Sequence, residues 1–122
     1  MIKKIMIVDD ALFTRNMIRN ILIKHGEYEI IEAVDGQAAL ERFKQERADL
    51  ILLDITMPKK NGLETLQELM AFDDQANVIM CSALGQENLI LEAIRNGAKD
   101  FIVKPFKETD IIRVVEEYCD DN

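Results

Sequence analysis

One segment constrains this chain more than any other: Leu50-Ile51-Leu52-Leu53 is apolar at every position. A strand with one wet face alternates apolar and polar residues. An unbroken run is instead buried on both faces, as in a parallel sheet covered by helices. Four other short, mainly apolar runs punctuate the chain, at 5–8, 28–33, 78–81 and 101–103. Segments of helical spacing separate them. Phe13, Met17, Ile21 and His25 recur on one stripe, and Gly26 is placed to end that helix. Ala39, Leu40, Phe43 and Lys44 follow Gly36 in a second helix. Leu63, Leu66, Leu69 and Met70 mark a third. Leu89, Ile90, Ala93 and Ile94 mark a fourth, closed by Asn96-Gly97, and Ile111, Val114, Val115 and Tyr118 the last.

The pattern predicts an α/β fold, (βα)5, as one domain over residues 1–122. Crossovers between parallel strands are right-handed, which sets helices on both faces. Order 2-1-3-4-5, the flavodoxin-like one, is the common arrangement for such a sheet and is taken here as a prior expectation.

Composition excludes several functions. The net charge is −8 and 48% of the 122 residues are apolar. That apolar share rules out a disordered acidic tail. Nucleic-acid binding is not expected, because phosphate neutralisation needs a basic face. An acidic balance suits a divalent cation or a basic partner patch. Cys81 and Cys119 form no CxxC, and His25 is the only histidine, so a zinc site is not expected and the thiols read as reduced. The basic start Met1-Ile2-Lys3-Lys4 precedes only four apolar residues, too few for a signal peptide, and no stretch suits a membrane span. The expectation is a cytoplasmic protein with no membrane association.

In such sheets ligands bind beyond the carboxyl ends of the strands, where the order reverses. Asp9 and Asp10 follow the first run, Asp54 the third, Ser82 the fourth and Lys104 the fifth. Asp35-Gly36 follows the second run, which the expected order puts at an edge, outside the crevice. Taken alone, each residue has a plain reading. The Asp9-Asp10 pair suits a turn or a helix N-cap, with Asp10 placed to cap the first helix. Asp54 alone is a loop carboxylate, Lys104 a solvated lysine and Ser82 a turn residue. The coincidence at four adjacent strand ends is what points to chemistry. Two bare carboxylates ~5 Å apart repel by roughly 3 kcal/mol at an effective dielectric of ~20. A shared proton or a cation relieves that, and Mg2+ takes oxygen ligands from one or two carboxylates. A carboxylate can then act as a nucleophile toward phosphorus, and an ammonium beside it offsets the developing charge.

The pieces KIMIVDDALFTRNMIRNIL, LILLDITMPKKNGLETL, VIMCSALGQ and GAKDFIVKPF, in this order and spacing, resemble the receiver domain of two-component response regulators. The last two resemble most the stand-alone chemotaxis regulators of that family. The resemblance runs from residue 5 to about 118. It implies that Asp54 accepts a phosphoryl group from a phosphohistidine on a sensor kinase, of the chemotaxis type. It implies Mg2+ held by Asp9, Asp10 and Asp54 with the backbone carbonyl of Thr56. Lys104 is implied to bind the phosphoryl group, its bond to Pro105 to be cis, and Ser82 to swing toward a phosphoryl oxygen. Phe101 stands where the family places an aromatic switch that is often Tyr, and its ring, without a hydroxyl, is expected to be buried. Thr56 and Leu84 occupy positions that tune dephosphorylation in this family, and Leu84 cannot hold a water by hydrogen bonding.

Output is expected from the face of the fourth helix, the fifth strand and the last helix. Leu89, Ile90, Ile94, Ile111 and Val115 read as core there, and Asn88, Glu92, Arg95, Lys99 and Lys107 as exposed. The sequence ends at Asn122 after the polar Asp120-Asp121, so the expected output is phosphorylation-dependent protein binding, with the flagellar motor switch as the implied target. A phosphatase partner and a monomeric unphosphorylated state are further expectations. The protein is expected to be a signalling protein, catalysing only its own phosphorylation and dephosphorylation. Alternatives are a phosphorelay shuttle, a receiver excised from a larger regulator, and a Mg2+-dependent aspartyl-phosphate phosphatase. The last requires a second Asp two residues after the nucleophile, where this chain has Thr56. A flavodoxin proper needs a Ser/Thr/Gly phosphate loop, where this chain has Asp9-Asp10-Ala11-Leu12.

Overall fold

The apolar runs become five parallel strands: β1 (Lys3–Val8), β2 (Tyr28–Ala33), β3 (Leu50–Asp54), β4 (Val78–Ser82) and β5 (Asp100–Val103). The structure is a computed structural model that describes residues 2–57 and 60–120. Met1, the Pro58-Lys59 step of LILLDITMPKKNGLETL, and Asp121-Asn122 of the polar tail lie outside the described residues. The strand order is β2-β1-β3-β4-β5, as expected. Five helices connect them: α1 (Leu12–His25), α2 (Gly36–Gln45), α3 (Gly62–Phe72), α4 (Glu87–Arg95) and α5 (Glu108–Tyr118).

The unbroken apolar run explains the layering. Along β3, Leu50 and Leu52 point into one core layer and Ile51 and Leu53 into the other. The first layer joins Ile5, Ile7 and Ile79 to Ile18 and Leu22 of α1 and to Ile111, Val114 and Val115 of α5. The second joins Met6, Val8 and Met80 to Phe43 of α2, Leu66 and Leu69 of α3, and Ile90 and Ala93 of α4. Each such aliphatic side chain contributes ~1.5–3 kcal/mol by leaving water, and the two faces together fix the register of β3.

Three sequence expectations are corrected. The stripe on α1 is displaced by one residue: Ile18 and Leu22 are buried, Met17 and Ile21 half-buried, and Phe13 is 80% exposed. Phe13 lies in the first turn, at the end of the helix beyond the sheet, where no strand is left to cover it. Ile94, expected in the core, is 42% exposed, because α4 packs through Ile90 and Ala93. Asp10 does not cap α1. The N-cap is Ala11, whose N–H donates to Asp9 Oδ1 at 2.8 Å. Asp9 thus takes the turn role itself.

The starts of α2 and α3 follow side-chain capping. Asp35 accepts from Ala38 N–H at 2.8 Å and Asn61 from Glu64 N–H at 2.9 Å. Gly97, with φ +107°, closes the turn after α4 in a backbone region that side chains disfavour. Cys81 and Cys119 are free and buried. Among the described residues no helix is long and apolar enough to cross a membrane.

Candidate functional site

The end of β1 delivers Asp9, the end of β3 Asp54, and the residue after β5 Lys104, all to one crevice at the carboxyl edge of the sheet. Gly62 makes the crevice compact. A Cβ there would stand 2.4 Å from the Asp54 carbonyl oxygen and 2.6 Å from Ile55 Cα, so α3 starts against the backbone of the acid itself. Gly62 N–H donates to the Ile55 carbonyl at 2.8 Å and holds that approach.

Asp9, Asp10 and Asp54 bring carboxylate oxygens within 4.8 Å of one another. Asp9 and Asp54 are 3% and 7% exposed, while Asp10 is open to solvent. Lys104 Nζ lies 2.8 Å from Asp9 Oδ2 and 3.3 Å from Asp54 Oδ2. Asp54 Oδ1 accepts from Thr56 N–H at 3.3 Å. Burial raises the Asp54 carboxyl, the Lys104 ammonium opposes that, and the Asp9 charge adds to it; the result is a pKa pushed up from 3.8 to about 6. Burial works against the Lys104 charge, but the hydrogen bond to Asp9 and the charges of Asp54 and Asp9 prevail and hold its pKa above the usual value. The Cys81 thiol, behind Asp54, is pushed well up by burial first and by the Asp54 charge next, so it stays a neutral thiol.

Among the described residues, three carboxylates here face one ammonium, which leaves the cluster net negative. All the donors are hard oxygens, which suits Mg2+ and not a thiophilic metal. The charge and the chemistry of the set fit a divalent oxygen-seeking cation, with Asp9, Asp10 and Asp54 as its holders.

Ser82 ends β4 and is buried. Its carbonyl accepts from Lys104 N–H at 2.7 Å, which ties the β4 and β5 ends together. The Lys104–Pro105 bond is cis. Phe101, expected to be buried, is 40% exposed. Its ring stands at the rim of an apolar cavity of about 270 Å³ lined also by Ser82, Leu84, Ile90, Leu91 and Val103. Thus the cavity that would bury the ring exists beside it. Asn88, Glu92, Arg95, Lys99 and Lys107 are all exposed, on or beside α4, β5 and α5. Asp100, at the start of β5, binds Arg113 Nη1 and the Tyr118 hydroxyl of α5, each at 2.9 Å.

Two residues of the site carried no sequence signal. Arg15 Nη1 donates to the Asp9 carbonyl at 2.8 Å while its Nε pairs with Glu32 at 2.9 Å. Only the β1–β2 pairing brings Glu32 there, and no spacing announces it. Gln86 accepts from Ala83 N–H and donates to Thr56 Oγ1, both at 2.7 Å. It lies inside the VIMCSALGQ piece, four residues after Ser82.

Over residues 5–116 the sequence matches the response regulator receiver domain. It is 45% identical over 117 residues to chemotaxis protein CheY of Bacillus subtilis (strain 168), covering 96% of this chain and 98% of that one. It is 44% identical over 116 residues to chemotaxis protein CheY of Thermotoga maritima, covering 94% and 96%. A structure of a CheX–CheY–BeF3–Mg2+ complex from Borrelia burgdorferi superposes with a TM-score of 0.89 at 39% identity, covering 97% of this chain and 90% of that one.

Proposed function

This chain belongs to the response regulator receiver family, and on that premise we propose that it is a stand-alone chemotaxis-type regulator phosphorylated on Asp54. One observation carries the reading: a buried carboxylate, Asp54, lies 3.3 Å from an ammonium and shares its crevice with two more acids. Asp9, Asp10, Asp54 and the Thr56 carbonyl would hold Mg2+, which when bound would supply positive charge for the phosphoryl oxygens.

Asp54 is the nucleophile. A lone pair of its carboxylate oxygen forms the bond to phosphorus while the phosphorus–nitrogen bond of a kinase phosphohistidine breaks, and the imidazole leaves with that electron pair. With a pKa of about 6 before any cation is bound, Asp54 is mostly ionised at pH 7 and above. Lys104, in contact with both buried acids, is placed to exchange Asp54 for a phosphoryl oxygen without leaving Asp9. Ser82 supplies a hydroxyl to another oxygen. As the Ser82 loop moves, the apolar cavity beside it admits the Phe101 ring. Turning that ring inward remodels the face of α4, β5 and α5, where Asn88, Glu92, Arg95, Lys99 and Lys107 present their polar groups to a partner. The flagellar motor switch is the proposed partner, with a chemotaxis-type histidine kinase upstream and a phosphatase to reset the signal. The phosphoryl cycle acts on the protein's own Asp54, in the cytoplasm, within one receiver domain spanning 1–122.

The test is incubation with acetyl phosphate, with and without Mg2+, followed by intact mass. Wild type gains a phosphate adduct only with Mg2+, and Asp54→Asn gains none. An adduct of equal yield in both proteins contradicts the assignment.

A further inference from the structure

The cross-link that continues the sheet past Asp54 is a side chain. β3 and β4 stay in register through Asp54 and Cys81, and Ile55 N–H donates to the Cys81 carbonyl at 2.9 Å. Beyond that point the next tie between the two segments is the Gln86 carboxamide. It joins Thr56, two residues past Asp54, to Ala83, the residue after Ser82. Its orientation is fixed by chemistry: a backbone N–H only donates, so the amide oxygen faces Ala83 and the amide nitrogen faces the Thr56 hydroxyl. Thr56 in turn gives its own N–H to Asp54 Oδ1. Gln86 therefore stands one hydrogen-bonded residue away from the acid.

We propose that Gln86 is a positioning residue that straps the loop between β4 and α4 to the loop after β3 and thereby slows phosphoryl transfer to Asp54. The inference rests on the reading of Asp54 given above. Among the described residues, Asp54 is held by Lys104 and by Thr56 N–H, and Ser82 is not one of its hydrogen-bond partners. In this proposal the Ser82 hydroxyl reaches a phosphoryl oxygen by a shift of the segment 82–86 relative to Thr56. The Gln86–Thr56 bond spans the two loops and resists that shift, while the bond to Ala83, within the segment, holds the carboxamide in place for it. Gln86 is also the N-cap of α4, so a strap at this residue couples the site to the helix that borders the Phe101 cavity. Freeing the loop lowers the barrier to the rearranged form. The expected gain on removing the bond to Thr56 is about five-fold in rate, the equivalent of ~1 kcal/mol.

The test compares wild type, Gln86→Ala, Thr56→Val and the double variant, each with acetyl phosphate and Mg2+, by the rate of adduct formation. Gln86→Ala is expected to be phosphorylated about five-fold faster. Thr56→Val, which removes the same bond between the loops, gains about as much, and the double variant is no faster than either. Amide hydrogen exchange gives a second readout independent of phosphorylation: the Ala83 N–H is protected in wild type and loses protection in Gln86→Ala. Wild type that is phosphorylated while Gln86→Ala is unchanged or slower overturns the strap and leaves the reading of Asp54 standing. Fully additive effects of the two single variants, or an unprotected Ala83 N–H in wild type, also overturn it. A wild-type protein that takes no phosphoryl group from acetyl phosphate or phosphoramidate overturns the reading of Asp54 and the strap with it.

Discussion

Replacing Asp54 should make the metal-free protein more stable. In the folded chain the Asp54 carboxyl is pushed from 3.8 to about 6, chiefly by burial, even though the Lys104 ammonium opposes the shift. In the unfolded chain the same group titrates at its ordinary value. Between the two values the folded state holds a proton that the unfolded state has released, so stability falls as pH rises through that window. Below pH ~4 the group is protonated in both states and the penalty is absent. Above pH ~6 it is fully present, and the two pKa values correspond to ~3 kcal/mol. Asp54→Asn keeps the shape of the side chain and removes the charge that burial penalises. In EDTA at pH 7.5 the variant should exceed wild type by ~3 kcal/mol, and the gap should close toward zero by pH ~4. Urea unfolding followed by circular dichroism at several pH values measures it, because the other carboxylates cancel between the two proteins. A gap independent of pH, or a wild type more stable than the variant at pH 7.5, refutes the claim that Asp54 is a carboxylate held against its preference.

Mg2+ should raise the thermal midpoint of wild type and raise that of Asp9→Asn or Asp10→Asn much less, measured by a thermal scan across a Mg2+ titration, since binding to the folded state alone stabilises it. Lys104→Met should slow phosphorylation by acetyl phosphate at least about ten-fold, because the ammonium that contacts both Asp9 and Asp54 is lost; intact mass over time checks it. Gly62→Ala should destabilise the protein by ~1–3 kcal/mol in urea unfolding, because the new Cβ would meet backbone at 2.4–2.6 Å that cannot turn aside.

Much of this architecture is legible in the residues. An unbroken apolar run such as Leu50-Ile51-Leu52-Leu53 has few places to go, and five such runs alternating with helical spacing leave one kind of sheet. The strand ends then place Asp9, Asp54 and Lys104 in one crevice. What failed was finer. In α1, Phe13-Met17-Ile21 and Ile18-Leu22 are both four-residue stripes on neighbouring faces, and spacing alone does not say which one faces the sheet. Only packing against α5 and β1 selects Ile18 and Leu22. Asp10 does not cap the helix because α1 begins at Leu12 with Ala11 at the N-cap, which leaves Asp10 one residue outside. Ile94 faces solvent because α4 packs through Ile90 and Ala93, and Phe101 is part-exposed beside an open cavity between α4 and β5, a gap between elements that no local pattern encodes. Arg15 and Gln86 act through partners 17 and 30 residues away, a distance at which one sequence carries no signal.

The most direct measurement of the central claim is the position of the acyl phosphate. Phosphorylated protein reduced with borohydride and digested should yield homoserine in place of Asp54, in the Leu50–Asp54 strand and nowhere else. Homoserine at Asp9 or Asp10, or a phosphate adduct that survives borohydride unchanged, would contradict it.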